Sequence, residues 1–146
     1  MSYQIAIDGP AGAGKSTVAK AVAKRLGYIY VDTGAMYRAM ALHLLRQGVD
    51  TGDAAAVSAA SRHADITISY ADGVQQVLLN GENVTGLLRT EEVGNMASVS
   101  SANPDVRAKL VELQQALAAR ENVVMDGRDI GTCVLPQADV KVYLTA

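Results

Sequence analysis

The sequence predicts an α/β protein: a parallel sheet flanked by helices, with a small antiparallel β meander inserted in the middle of the chain. Three observations carry this. Short, nearly continuous apolar runs at 5–7, 28–31, 122–126 and 140–144 read as strands covered on both faces. The first 48 residues alternate strand, loop and helix twice, the pattern of a parallel α/β sheet. Residues 65–70 and part of 74–79 instead alternate with period two, next to the hairpin dipeptides Asp72-Gly73 and Asn80-Gly81.

Each element has a local reason. Ile5-Ala6-Ile7 is closed by Asp8-Gly9-Pro10, a strand ending at a turn. Val18, Val22 and Leu26 recur at helical spacing with Lys20, Lys24 and Arg25 off that line, which predicts an amphipathic helix packed through the three apolar residues and stopped by Gly27. A second helix carries Tyr37, Met40, Ala41, Leu44 and Leu45 on one face and ends at Gly48. The meander is expected over about 64–88. Two helices follow, about 91–101 and then from Pro104, a residue favoured at the first helical position. Val106, Leu110, Leu113 and Leu117 form the buried stripe of the latter.

Composition narrows the function classes. With 146 residues, 49% hydrophobic and 19% charged, the chain has the makeup of one globular domain. A net charge of −2 provides no global field for nucleic acid or an anionic membrane, so an anionic ligand must be held by a local cluster. The single cysteine, Cys133, excludes an internal disulfide. No apolar run reaches the roughly 18 residues of a membrane span, and the first residues lack a basic leader. A cytoplasmic monomer with a small-molecule substrate, and no nucleic-acid or membrane partner, is expected.

The strongest chemical signal is Gly9-Pro10-Ala11-Gly12-Ala13-Gly14-Lys15-Ser16, a full G-x-x-x-x-G-K-[ST] match between a strand and a helix. Glycines let the backbone curl with its N–H groups inward, an anion nest at a helix N-terminus. Lys15 adds a mobile charge for the β- and γ-phosphates, the Ser16 hydroxyl suits Mg²⁺, and Thr17 offers its N–H to the α-phosphate. This makes the fold P-loop NTPase-type and ATP with Mg²⁺ the expected cofactors. The dinucleotide fingerprint fails, because its third glycine falls at Thr17. A GTPase would carry N-K-x-D, which is absent.

Three further clusters bear on the site. Asp32-Thr33-Gly34-Ala35-Met36-Tyr37-Arg38 lies at a strand's carboxyl end, where open α/β sheets bind ligands. Thr33 either caps the helix or presents its hydroxyl to a phosphate, and Arg38 follows just over a turn later. In Val123-Val124-Met125-Asp126-Gly127-Arg128-Asp129, Asp126 closes an apolar strand as a Walker-B aspartate does and is a candidate Mg²⁺ ligand. Arg128 and Asp129 project from the same end. Arg107, by pattern alone, is a solvated charge. His43 and His63 have no partner ligand in view and read as surface or satisfied helix residues.

I-D-G-P-A-G-A-G-K-S, V-D-T-G-A-M-Y-R, L-L-N-G-E-N-V-T-G-L-L-R-T-E-E-V and D-G-R-D-I-G-T together resemble the bacterial cytidylate kinases, from Ile5 to Leu144. The resemblance implies transfer of the ATP γ-phosphoryl group to CMP or dCMP, with the meander as part of the monophosphate-binding region. It places Thr33 near the acceptor, Arg38 and Arg128 on the CMP phosphate, and Ser98, Arg107 and Asp129 at the cytosine edge. Lys15, Arg38 and Arg128 are then the catalytic set. Guanidinium forks suit phosphate, and a carboxylate accepts from cytosine N4–H₂ but not from uracil's carbonyl. The resemblance further implies that family chains continue past Ala146 with an arginine-rich lid, so the expectation is one P-loop kinase domain, 1–146, truncated at its C-terminus. Two alternatives stay open: a nucleotide-binding remnant with little turnover, and a kinase for another small acceptor such as UMP.

Overall fold

The structure, a computed structural model, describes residues 2–10, 13–71, 74–127 and 129–145. The chain divides into two compact units, Met1–Thr33 with Gln114–Ala146, and Gly34–Leu113.

The first unit holds a four-stranded parallel sheet of β1 (Gln4–Asp8), β2 (Ile29–Asp32), β6 (Val123–Gly127) and β7 (Val140–Tyr143), in the order β2-β6-β1-β7. Because the strands are parallel, their carboxyl ends share one edge. There Asp8 pairs in register with Gly127 and Tyr143, and Asp32 with Asp126. Helix α1 (Lys15–Leu26) packs on this sheet over a core of Ile5, Ile7, Ala19, Ala23, Tyr30 and Val124.

The packed face of α1 corrects the sequence expectation. Val18 is 38% exposed and Leu26 50%, while Ala19 and Ala23 are buried and Val22 only borders the core. The sheet already supplies the bulk, so methyl side chains on the helix allow close approach, and the bulkier line about 100° round the helix faces outward.

The second unit contains most of α2 (Thr33–Arg46), then α3 (Ala54–Ser61), the meander β3 (Ile66–Ala71), β4 (Val74–Leu79) and β5 (Glu82–Asn83), a 3₁₀ turn Thr85–Leu87, α4 (Glu91–Ser100) and the first part of α5 (Pro104–Arg120). The meander is antiparallel in the order β3-β4-β5. Asn80 and Gly81 both take positive φ, 51° and 85°, making the tight turn their sequence predicts. The expected Asp72-Gly73 turn lies outside the described residues.

Met40, Ala41 and Leu44 of α2 and Val106, Leu110 and Leu117 of α5 are buried, as their spacing predicts, with Tyr37, Leu45 and Leu113 half-buried. The starts of α3 and α4 are capped by side chains: Asp53 accepts from Ala56 N–H at 3.1 Å and Thr90 from Val93 N–H at 3.2 Å. His43 is buried and its Nε2 meets the Ala60 carbonyl at 2.9 Å, so it is a satisfied helix residue; His63 is exposed. Among the described residues no helix is long and apolar enough to cross a membrane.

Candidate functional site

The cradle begins where β1 ends. Gly9 has φ 150°, and a Cβ there would lie 2.4 Å from the carbonyl oxygen of Leu144, so β1's turn passes too close to β7 for any side chain. Ala13 N–H donates to the Pro10 carbonyl at 3.3 Å, and Gly14, at φ 80°, turns the chain into α1. The N-cap residue is this glycine, and among the described residues no side chain caps that helix end, so its opening N–H groups are of the kind that can bind an anion. Lys15 is half-buried at the first helical position, followed by exposed Ser16 and Thr17. Ala11 and Gly12 lie outside the described residues.

Beside the cradle stands Asp126, 5% exposed at the end of β6. It is gripped from the neighbouring strand end: Tyr30 Oη donates to its Oδ2 at 2.8 Å, and the buried Thr33 Oγ1 donates to its backbone carbonyl at 2.8 Å. Thr33 is the first residue of α2 and uses its hydroxyl proton on this contact. Burial pushes the Asp126 carboxyl up from 3.8 to about 6; the Tyr30 hydrogen bond opposes this, the Asp32 charge reinforces it, and Lys15 and Lys20 pull it back down. Lys20 Nζ also lies 5.7 Å from the Tyr30 ring centroid.

After β6 the chain enters a single wide helical turn of the π type, Ile130–Val134. The Asp129 carbonyl accepts from Cys133 N–H at 2.9 Å, and the two N–H groups that follow Asp129 are both taken by the Asp8 carboxylate: Ile130 to Oδ1 at 2.7 Å and Gly131 to Oδ2 at 2.8 Å. Asp129 is half-buried; Arg128 lies outside the described residues.

The first unit therefore brings together Gly9, Pro10, Ala13, Gly14, Lys15, Ser16, Thr17, Thr33, Asp126 and Asp129 at one edge of its sheet. Arg38, Ser98 and Arg107 belong to the second unit, exposed on α2, α4 and the first turn of α5 respectively. Of the serines around Ser98, Ser101 turns its hydroxyl back onto the Ser98 carbonyl at 2.9 Å, a helix-end bond.

The donor set fits Mg²⁺. Ser16 and Asp126 offer hard oxygen atoms, and the raised Asp126 carboxyl is a buried group that a cation would hold ionised. Among the described residues no group of three or more His, Cys, Asp or Glu side chains is arranged to hold a metal.

Sequence reasoning missed two residues. Asp8 and Tyr30 reach the site only through contacts 122 and 96 positions away along the chain. A polar residue closing or interrupting an apolar strand run was the available signal in both cases.

The sequence model of the cytidylate kinase family matches residues 5–146. A cytidylate kinase of Solibacter usitatus is 55% identical over 97% of this chain and 60% of its own length. One from Symbiobacterium thermophilum is 54% identical over 97% of the chain and 63% of its own length, and one from a Geobacillus species 52% over 99% and 65%. The chain thus spans about three fifths of the length of these curated relatives. A phosphate cradle and strand-end aspartates in this order, with a family match over nearly every residue, lead to one conclusion: the chain belongs to the cytidylate kinase family.

Proposed function

We propose that this chain is the nucleotide-binding core of a kinase that transfers the γ-phosphoryl group of ATP to CMP or dCMP. The observation that carries the reading is the uncapped N-terminus of α1 behind Gly14, with Lys15 opening the helix within electrostatic reach of Asp126. A single P-loop domain over 1–146, with residues 64–88 serving the monophosphate, is the organisation the reading uses. So is a cytoplasmic monomer with no nucleic-acid or membrane partner.

Phosphoryl transfer requires positioning and charge neutralisation, with little covalent work for the protein. Residues Gly9 to Thr17 cradle the donor phosphates, and Lys15 holds the β- and γ-phosphate charge. Ser16 and Asp126 would hold Mg²⁺, which when bound neutralises charge on the phosphate oxygens. Arg38 and Arg128 clamp the acceptor phosphate and bring its oxygen into line. Thr33 stands near the acceptor in this reading, but its hydroxyl proton is spent on the Asp126 carbonyl, so its role there is to tie the start of α2 to β6. Ser98, Arg107 and Asp129 read the cytosine edge. The attacking phosphate oxygen is ionised at neutral pH, so no strong general base is needed.

The test is ADP release by this chain from ATP and Mg²⁺, with and without CMP, alongside UMP and Arg38→Ala controls. CMP-dependent release that fails with UMP and collapses in the variant supports the reading. Release indifferent to CMP means a bare ATPase and sinks it. Tight nucleotide binding without release identifies a binding core that does not turn over.

A further inference from the structure

The geometry points to Asp8 as a positioning residue: we propose that its carboxylate sets the placement of Asp129, and thereby the choice of cytosine over uracil. The inference rests on the substrate reading above and deepens it.

Asp8 is the last residue of β1, 9% exposed, and it reaches forward to the loop after β6. Its two oxygens accept the N–H groups of Ile130 and Gly131, two consecutive charge-assisted bonds of 2.7 and 2.8 Å. These are the two peptide groups directly after Asp129. The Asp129 carbonyl is held from the other side by Cys133 N–H. The backbone of Asp129 is therefore fixed from both directions, and what fixes the forward side comes from the strand that leads into the phosphate cradle. The Asp8 backbone adds a third tie, its carbonyl accepting from Leu144 N–H at 2.8 Å.

Close packing leaves this contact little play. A Cβ on Gly131 would lie 3.3 Å from Asp8 Oδ2 and 3.3 Å from Lys141 Cδ. The π turn begins at the same two residues, with Leu135 N–H bonding back to the Ile130 carbonyl while the Ile130 and Gly131 N–H groups point to Asp8.

An alternative role for a buried carboxylate beside an anion site would be purely electrostatic, and its sign is opposite. Nucleotides are anions, so removing a negative charge nearby would tighten their binding. A positioning role predicts weaker CMP binding on removal. In Asp8→Asn the amide NH₂ faces a backbone N–H, donor against donor, so the shape is kept while one of the two bonds is lost.

The experiment is calorimetric titration of this chain and its Asp8→Asn variant with CMP, UMP and MgATP, with amide hydrogen exchange at Ile130 and Gly131. The expected result is CMP affinity lowered about tenfold to a hundredfold, with the CMP-over-UMP preference narrowed by a similar factor. MgATP affinity stays within about threefold, and both amides exchange at least about tenfold faster. If Asp8→Asn does not fold, Gly131→Ala crowds the same contact from the other partner and is expected to shift CMP affinity in the same direction by a smaller factor. Unchanged or tighter CMP binding in the substituted protein overturns the inference alone. Equal losses for CMP and MgATP also overturn it, since they mark a general structural role. A parent chain that binds MgATP but neither CMP nor UMP removes the substrate reading itself, and the inference with it.

Discussion

Tyr30 and Asp126, 96 positions apart in the chain, meet between the adjacent strands β2 and β6, the phenol reaching from a position in register with Val124 to donate to Oδ2 across 2.8 Å. This bond is the main local support for an ionised carboxylate that burial otherwise disfavours. Asp126 is thus held in place by its neighbours, with Tyr30, Lys15 and Lys20 only partly offsetting the cost of its burial.

A pH dependence follows. With the folded-state value raised from 3.8 to about 6, the native protein keeps a proton on Asp126 that the unfolded chain has released. The stabilisation from that proton is complete below about pH 4 and is lost as pH rises through 6. Asp126→Asn abolishes the loss, so its stability advantage over the parent should grow between pH 4 and 7. The raised value sets a ceiling of roughly 3 kcal/mol, and partial access of water reduces the expectation to about 1–2 kcal/mol. Urea melts of both proteins at pH 4 and 7 measure it; a gap that does not change with pH contradicts it.

Lys15→Met should weaken MgATP binding by about tenfold to a hundredfold while leaving the fold intact, since the half-buried side chain opens a helix rather than filling the core. The same substitution removes a charge that lowers the Asp126 value, so the carboxyl should titrate higher. Calorimetry and carboxyl NMR titration check the two halves.

Gly9→Ala should be severely destabilising, by about 2–4 kcal/mol, because its methyl would meet the Leu144 carbonyl and φ 150° is unfavourable for any side chain. Thermal unfolding reads it directly, and a variant within 0.5 kcal/mol of the parent, roughly the noise of a neutral surface change, would show that the β1 turn relaxes freely.

Helix α1 supplies a paired test. Ala19→Leu forces bulk into a fully buried contact and should cost about 1–3 kcal/mol or more. Val18→Lys, one residue earlier on the exposed face, should stay within about 0.5 kcal/mol. Equal costs at the two positions would restore the valine face as the packed one.

How far the sequence revealed this protein depends on the range of the contacts involved. The strand and helix on either side of the glycine-rich loop and the Asn80-Gly81 turn were legible because their determinants lie within a few residues of each other. The buried face of α1 was misjudged because apolar periodicity weighs bulk, whereas a helix laid on an already bulky sheet selects alanine. Helix α3, rich in alanine and serine, carries no apolar stripe to read. The π turn and the roles of Asp8 and Tyr30 depend on partners about a hundred residues away, which no local pattern encodes.

The strand order carries a consequence for the birth of the chain. β1 and β2 do not pair with each other; each waits for β6, which slots between them. On the ribosome about 90 residues separate the end of β2 from the start of β6, roughly 5–20 s of synthesis. During that interval the meander, whose strands pair with their immediate successors, can close. Ile5-Ala6-Ile7 and Ile29-Tyr30-Val31 meanwhile wait as apolar segments without a sheet to join. The stretch in which these apolar strands lack a sheet therefore runs from the emergence of β2 until Val123–Gly127 arrives as the central bolt.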